Sequence, residues 1–198
     1  DASYKLHDQS YRTIFDRCGL RYLVVEAISG AMGGSTSQEF MVESDAGEDL
    51  LVTCACGYSS NLERAVSSVD KIQDPENESL PQEIHTPGQR TIQEISDFLK
   101  IEQTRQIKSL VYIVNGNPHL ILLRGDHQLN EASLSNTLGT NFLRPAKDKE
   151  IWDIFGADSG SLGPIGLENV PIMADNSIKD RHNLICGANK NDYHLKQV

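Results

Sequence analysis

Two nearly continuous apolar segments, joined by Asn115-Gly116, constrain the fold of this 198-residue sequence more than any other feature. The first runs from Ser109 to Val114 and the second from His119 to Leu123. An Asn-Gly pair between two β-prone segments is a strong signal for a two-residue hairpin turn. Strands that lack polar alternation are usually buried on both faces. The sequence therefore predicts an antiparallel hairpin at the centre of a covered sheet.

Helical and strand-like segments alternate around this hairpin. Thr91 and Glu94 have capping-box spacing ahead of an amphipathic helix, and Trp152 and Phe155 are predicted to share the buried face of a later one. Helices are predicted at 11–18, 61–65, 130–138 and 147–155 and from 102 to 107, and strands at 21–28, 48–53, 170–174 and 184–187. Lys108 is predicted to stand just before the first hairpin strand. This alternation indicates an α/β or mixed α+β fold, in which helices surround a central, mostly buried sheet.

Two glycine-rich segments are candidates for binding loops. Asp158 to Gly166 holds three glycines, two serines and a proline. Such a run can turn successive backbone N–H groups toward an anion or a polarised carbonyl, although a plain turn-rich connection is the alternative. Ser29 to Ser37 lacks the Gly-Lys-Ser/Thr ending of a phosphate-binding P-loop. Glu39 follows this second loop and is predicted either to bind a substrate ammonium group or to sit at a strand edge.

Composition excludes several classes of protein. The net charge of −10 argues against a broad basic surface for nucleic acid, although a small patch for one RNA end is compatible with it. The sequence contains neither an apolar run of membrane-spanning length nor a secretory leader, and it begins without Met, so we expect an excised fragment. The four scattered cysteines favour reduced thiols in a cytoplasm. Cys54 and Cys56 alone cannot make a structural zinc site, so no metal is predicted.

The polar, acidic and Pro-containing stretch from Ser67 to Pro81 is typical of a linker. It divides the chain into a first segment, residues 1–66, and a second domain, residues 67–188, of which 67–81 are the linker. Residues 189–198 are predicted to return to the first structure.

A series of short motifs, in the same order and with compatible spacing, resembles bacterial-type prolyl-tRNA synthetases, a class II family. Gly30 to Val42, followed by Gly47-Glu48-Asp49, is similar to the catalytic core of that family, and the rest of the chain is similar to the YbaK-like editing domain inserted into the core. The matching landmarks in the insertion are Thr86-Pro87, Lys108, Arg124-Gly125-Asp126, Leu129-Asn130-Glu131, Gly160-Ser161-Leu162-Gly163-Pro164, Asp175, Gly187-Ala188-Asn189 and His194.

The resemblance implies a deacylase that hydrolyses alanine wrongly attached to the tRNA for proline. The implied catalytic residues are Lys108 and the loop Gly160, Ser161, Leu162, Gly163 and Pro164. The loop would present backbone amides to the 3′-terminal adenosine and the scissile ester, and Lys108 would hold phosphate or ribose oxygens rather than act as a nucleophile. The implied substrate-binding residues are Thr86, Asp175 and His194, with His194 recognising the alanyl group, and Glu39 joins them as a candidate.

The resemblance also implies the partners of the domain. These are the acceptor end of the tRNA for proline and an alanyl or prolyl group, in a cytoplasmic enzyme that is homodimeric at full length. Editing would need no cofactor, whereas ATP and magnesium would serve the full-length synthetase. Editing is physically reasonable because a proline site cannot exclude the smaller alanine, since a missing methylene is worth only about 1–3 kcal/mol.

Some departures from the family limit these expectations. Gln38 stands where many relatives carry histidine, and Cys54-Ala55-Cys56 lacks the Cys-x-x-Cys spacing of some relatives. Nothing in the sequence matches the class II motifs for ATP, so we do not expect this chain to activate proline alone. A non-catalytic insertion that binds or orients the acceptor end is the alternative function. A stand-alone deacylase is less favoured, because segments similar to the core lie at both ends.

Overall fold

A computed structural model describes residues 2–27, 37–62, 64–66, 68, 71–75 and 79–198. The chain divides into two compact units, Asp1–Ser68 and Val69–Val198. Most of the second glycine-rich segment, residues 29–36, lies outside the described residues, as do parts of the predicted linker. Four α-helices and eleven strands are present in the described ranges, which confirms the mixed α+β class.

The first unit packs one helix against a four-stranded sheet. Its strands lie in the order β2-β1-β4-β3, and β1 pairs in parallel only with β4. Phe40 of β2 contacts the rings of Tyr11, Phe15 and Tyr22 at centroid distances of 5.4–5.5 Å. The elements are α1 (Ala2–Arg17), β1 (Tyr22–Ala27), β2 (Ser37–Val42), β3 (Leu51–Thr53) and β4 (Ser59–Asn61).

Two predictions for this unit were wrong. The first helix begins at Ala2 rather than Tyr11, and the polar stretch before Tyr11 offers only Tyr4 and Leu6 as large apolar residues, both of them exposed. The short helix predicted from Asn61 is absent from the described residues there, because Asn61 ends β4 and pairs with Leu51.

The second unit contains two sheets. One has the order β8-β6-β7-β9, with β9 parallel to β7, and the other has the order β10-β11-β5. A single bridge between Gln106 and Ile185 joins the start of β6 to β10. The elements are β5 (Gln82–His85), α2 (Ile92–Leu99), β6 (Ile107–Val114), β7 (Asn117–Arg124), α3 (Glu131–Leu138), β8 (Leu143–Pro145), α4 (Asp148–Phe155), β9 (Ile172–Ala174), β10 (Ile185–Gly187) and β11 (Tyr193–Lys196), with short 3-10 helices at Gln103–Arg105 and Asn176–Ile178.

The predicted hairpin is confirmed as β6 and β7, the two central strands of the larger sheet. Asn115 and Gly116 both have positive φ, 48° and 84°, as a tight two-residue hairpin turn requires. Alternate residues of the pair enter two apolar clusters, one on each face of the sheet. The first cluster includes Ile107, Val111, Leu120, Leu122, Ile151, Phe155 and Leu162, and the second includes Tyr112, Val114, Ile121, Leu123 and Leu134.

The helices of this unit follow the predicted signals with two exceptions. The capping box is confirmed, because the Thr91 side chain accepts from the Glu94 amide and the Glu94 carboxylate accepts from the Thr91 amide. Trp152, however, is 50% exposed, since α4 buries Ile151 and Phe155 instead. The helix predicted from 102 to 107 is only a short 3-10 turn, and β6 starts at Ile107, so Lys108 lies within the strand.

The end of the chain belongs to the second unit rather than returning to the first. Tyr193–Lys196 form β11, which pairs with β5 on one side and with β10 on the other. Residues 189–198 therefore belong to the second unit, contrary to the predicted boundary. Four-residue strands such as β5 and β11 carry too few alternating positions to be recognised from sequence.

Residues 71–75, a described part of the predicted linker, are anchored to the second unit. Asp74 forms a two-point ion pair with the guanidinium of Arg181, whose Nη2 also donates to the Thr104 carbonyl at 3.2 Å. The two paired side chains are only 2% and 5% exposed. The hydrogen bonds from Arg181 also hold the pKa of the Asp74 carboxyl below its ordinary value. This exposed stretch is therefore attached to the second unit through one buried side chain, that of Asp74.

Breaking this ion pair should destabilise the second unit. We expect Asp74→Asn to lower the free energy of unfolding by about 3–5 kcal/mol, because the Arg181 charge stays buried without its counter-charge. Urea unfolding followed by the fluorescence of Trp152, the only tryptophan, reports on this unit. Asp180→Asn is the matched control, because Asp180 is exposed and an Asn accepts its positive φ of 58°. Equal unfolding free energies for both variants would contradict the prediction.

Candidate functional site

A cavity of about 460 Å³ lies beside the first half of β6 in the second unit. Residues from α2, β6, the Asp158–Gly166 loop, β10 and β11 line it. Its charged lining residues are Arg90, Lys108 and Asp126, and its apolar ones are Ile92, Ile95, Ile107, Leu110, Leu162 and Ile185. The volume is in the range of about 300–1,000 Å³ that is usual for small-molecule sites.

Lys108 projects from the second position of β6, opposite Leu123, and lines the cavity. Its ammonium donates a hydrogen bond to the backbone carbonyl of His127. Partial burial lowers the pKa of Lys108, and the nearby carboxylate of Asp126 opposes this shift. An ammonium has three N–H donors, so two are available for an oxygen atom in the cavity.

The Asp158–Gly166 loop forms one wall of the cavity because its glycines allow the backbone to approach β10. A Cβ atom on Gly163 would lie 2.0 Å from the carbonyl oxygen of Gly187, and one on Gly187 would lie 2.2 Å from the carbonyl carbon of Ser161. At the other end of the loop, Gly160 has φ of +95°, and a Cβ there would lie 2.6 Å from the carbonyl oxygen of Arg90. Any larger residue at these three positions would push the loop away.

Asn189 fixes the loop through its side chain. Its Oδ1 accepts from the Gly163 amide at 2.9 Å, and its Nδ2 donates to the carbonyls of Gly163 and Ile165, each at 3.0 Å. Its backbone amide also donates to the Ser161 carbonyl at 2.8 Å. Asn189 therefore holds the loop from the β10–β11 connection.

The five loop residues predicted to be catalytic have different environments. The Ser161 amide donates to Asp158 and the Gly163 amide to Asn189, so neither is available to a ligand. Pro164 has no amide hydrogen and is not among the lining residues. Gly160 and Leu162 line the cavity, and within the described chain their amides have no acceptor. These two are the donors that a bound carbonyl or oxyanion could use.

His194 connects this loop to Thr86. Its Nδ1 lies 2.7 Å from the Thr86 hydroxyl, and the ring also forms a hydrogen bond with the backbone of Gly160. The ring is 5% exposed and lines the cavity, whereas Thr86 is fully buried and does not. Burial lowers the pKa of His194, and the bond to Gly160 only partly opposes this. A neutral ring satisfies both contacts when Nε2 carries the proton and Thr86 donates to Nδ1.

The other two predicted binding residues do not line this cavity. Asp175 follows β9, is exposed, and caps the next 3-10 helix by accepting from the Ser177 amide at 2.8 Å. It approaches the site only through His127, whose Nδ1 is 4.0 Å from its carboxylate. Glu39 is exposed on β2, the edge strand of the first unit, whereas all the lining residues belong to the second unit.

Comparison with known proteins identifies the second unit. A model of the aminoacyl-tRNA editing domain family matches residues 86–198, which include β6, the glycine loop and β11. The chain belongs to this family. The match also takes in residues 189–198, in agreement with the position of β11 in the sheet.

The chain is similar to proline–tRNA ligases along its entire length. The chain is 42% identical to the enzyme of Citrifermentans bemidjiense over 200 residues and 44% identical to that of Syntrophus aciditrophicus over 201. It spans about 35% of the length of each relative.

Two solved structures share the fold of the editing domain. One is of a candidate trans-editing enzyme for prolyl-tRNA synthetase, with a TM-score of 0.52 and 20% identity over 60% of this chain and 76% of that one. The other is of hypothetical protein APE2540, with a TM-score of 0.53 and 22% identity over 59% and 79% of the two chains.

Arg90 and Ser109 are among the residues of the editing-domain cavity that sequence reasoning missed. Arg90 directly precedes the capping residue Thr91, and Ser109 directly follows Lys108. The Ser109 hydroxyl is buried and has no hydrogen-bond partner among the described residues. Single arginine and serine residues beside a helix cap or within a strand have no distinctive pattern. Only their adjacency to Thr91 and Lys108 could have indicated them.

Within the described ranges, no three His, Cys, Asp or Glu side chains are grouped as metal ligands would be. No helix there is long and apolar enough to cross a membrane.

Because His194 is buried and neutral, it should make the editing domain less stable in acid. The unfolded chain takes up a proton at His194 near the ordinary pKa of about 6.5, whereas the folded ring resists protonation. The unfolded state then binds more protons, so the free energy of unfolding should fall below about pH 6.5, by at most about 1.4 kcal/mol per pH unit. Urea titrations between about pH 8 and pH 5, followed by Trp152 fluorescence, measure this.

His194→Gln should lose this part of the pH dependence, while His119→Gln, at a partly exposed site on β7, should retain it. The same acid slope in the unmutated protein and in His194→Gln would show that the buried ring is not its source.

Proposed function

We propose that the second unit is the cis-editing domain of a prolyl-tRNA synthetase. It would hydrolyse the ester of alanine wrongly attached to the tRNA for proline. One observation carries this proposal: Lys108, Gly160 and Leu162 line the same cavity in a member of the aminoacyl-tRNA editing family, and the amides of Gly160 and Leu162 have no acceptor within the described chain. The identity of 41–44% with proline–tRNA ligases supports proline as the amino acid of the parent enzyme.

In the proposed reaction, water attacks the carbonyl carbon of the alanyl ester, and the bond to the terminal ribose oxygen breaks. Negative charge collects on the carbonyl oxygen, where the amides of Gly160 and Leu162 would donate hydrogen bonds. Loss of one such donor typically reduces the rate by about 10²–10³-fold. A hydroxyl of the tRNA's terminal ribose would help to activate the water, and alanine and the free ribose hydroxyl would be the products.

Lys108 would bind a ribose or ester oxygen rather than act as a nucleophile. Its ammonium already donates to the His127 carbonyl, which holds the side chain in place and leaves two donors for the substrate. Asp175 would act through His127 as a positioning residue, because its carboxylate lies near that ring and not in the cavity.

His194 would border the alanyl group as a neutral ring, and Thr86 would fix the orientation of that ring. Thr86 is completely buried, so its contribution comes through the 2.7 Å contact with Nδ1 and not through the substrate. Thr86 would therefore orient His194, which lines the cavity, rather than bind the substrate directly.

The cavity is large enough for more than an alanyl group. At about 460 Å³ it would hold the terminal adenosine together with the amino acid. Exclusion of proline must then come from the part of the apolar lining that meets the amino-acid side chain. An editing pocket that admits alanine and excludes the larger proline complements the aminoacylation site, which cannot strongly reject a smaller amino acid.

Features of the whole synthetase belong to the same proposal. The parent enzyme would be a cytoplasmic homodimer that uses ATP and magnesium to attach proline to tRNA.

Replacing Lys108 should abolish most of the editing activity. We expect Lys108→Ala to slow the release of alanine from alanyl-tRNA by about 10²–10³-fold, because a charged donor to the reacting region is lost. Single-turnover deacylation with labelled alanine on the tRNA for proline measures this rate.

Lys149→Ala is the control, since Lys149 is 84% exposed on α4 and pairs only with Asp153. Trp152 fluorescence would show that both variants are folded. An unchanged rate in Lys108→Ala would remove Lys108 from the mechanism. If the unmutated chain binds alanyl-tRNA without releasing alanine, the domain is a non-catalytic module that orients the acceptor end.

A further inference from the structure

We propose that Arg90 forms a subsite for the phosphodiester that joins the last two nucleotides of the RNA substrate. This inference rests on the proposed editing function and extends it from the ester to the RNA backbone. The observation behind it is the placement of two different cations on the cavity, Lys108 in a partly buried position and Arg90 in an exposed one.

Arg90 is fixed next to the glycine loop. Its amide donates to the Glu94 carboxylate at 2.9 Å, so the capping box that starts α2 also holds Arg90. The missing Cβ of Gly160 would lie 2.9 Å from the Cα of Arg90. The side chain of Arg90 therefore starts at the wall where the ester is proposed to react.

The Arg90 guanidinium is available for an anion. Its side chain is 67% exposed, and its ion-pair partner among the described residues is Asp158, with a 3.6 Å separation between Nη2 and Oδ2. The Asp158 side chain is itself 44% exposed. Ion pairs of this exposed kind contribute about 0–1 kcal/mol, so a phosphate could replace Asp158 at little loss.

Lys108 is less suited to a phosphate. Its ammonium is partly buried and already donates to the His127 carbonyl. A doubly linked phosphate is strongly hydrated and would lose more solvation inside the cavity than at its rim. The two cations thus have different roles, with Lys108 at the reacting end of the nucleotide and Arg90 outside it.

The chemistry of the substrate places a phosphate where Arg90 stands. In a 3′-terminal adenosine, the 5′ phosphate belongs to the same ribose that carries the ester. A ribose held at Gly160 therefore brings this phosphate to the adjoining rim. A guanidinium binds two phosphate oxygens with a matching planar fork. Because the chain has a net charge of −10, such local contacts must supply its attraction for RNA.

Three substrates separate this role from others: alanyl-tRNA, 3′-O-alanyl adenosine, and 3′-O-alanyl adenosine 5′-phosphate. We expect Arg90→Gln to raise KM about 10- to 100-fold for the two substrates that contain the phosphate, with kcat unchanged, as loss of a charged hydrogen bond predicts. The KM for 3′-O-alanyl adenosine should not change. The salt dependence of alanyl-tRNA binding should also become weaker by about one charge.

Two control variants belong to the same experiment. Arg90→Lys should keep most of the phosphate effect, because the charge remains. Arg144→Gln, which removes an arginine paired with Glu150 outside the cavity, should leave all three KM values unchanged.

An equal increase in KM for all three substrates in Arg90→Gln would overturn the inference and make Arg90 a support of the glycine loop. An unchanged KM for all three substrates would overturn it as well. If the unmutated chain hydrolyses none of the three, the proposed editing function itself fails, and this result is distinct from either outcome for Arg90.

Discussion

The close contact between the glycine loop and β10 is the constraint on which the rest of the site depends. Gly163 and Gly187 meet backbone to backbone, at a separation that leaves no room for a Cβ on either residue. This contact sets the position of Leu162, which belongs to the apolar core and also lines the cavity. The donors of the proposed reaction are thus held by packing, which lowers the reorganisation needed when charge develops.

The smaller sheet, in the order β10-β11-β5, also constrains the site by fixing the position of His194. β11 carries His194 and lies between β10 and β5, and Thr86 directly follows β5. His194 can reach both Thr86 and Gly160 only when these strands are paired in this register. The two ends of the editing domain, which are far apart in sequence, therefore pair with each other, and this pairing positions His194 at the cavity.

The parts of the fold that sequence reasoning found are those with local signals. The turn at Asn115-Gly116 and the capping box at Thr91 need only neighbouring residues, and both were confirmed. Trp152 was assigned to the core because aromatic residues usually lie there, but helix geometry places Ile151 and Phe155 inward instead. The burial of Asp74 within the predicted linker has no local signal, since its partner Arg181 lies more than a hundred positions away in the sequence.

The same distinction applies to the site. Lys108, the glycine loop and His194 were named through the family resemblance, and the fold brings them to one cavity. The placement of Arg90 and Ser109 at the cavity, and the hydrogen bonds of Asn189 to the loop, depend on which segments the fold brings together. No spacing in the sequence encodes that information.

The structure also explains why no nucleophile was evident in the sequence. Thr86 and His194 have the separation of a nucleophile and its base, but Thr86 is fully buried and does not line the cavity. Burial raises the pKa of Cys186 to about 12, which leaves the thiol protonated and unreactive. His194 has its Nδ1 at the Thr86 hydroxyl, and burial lowers the pKa of the ring, so the folded protein disfavours proton uptake there. We infer that water is the nucleophile and that the domain contributes fixed donors and a shaped cavity. Such a mechanism requires particular backbone positions more than particular reactive side chains, which is why glycines form so much of the site.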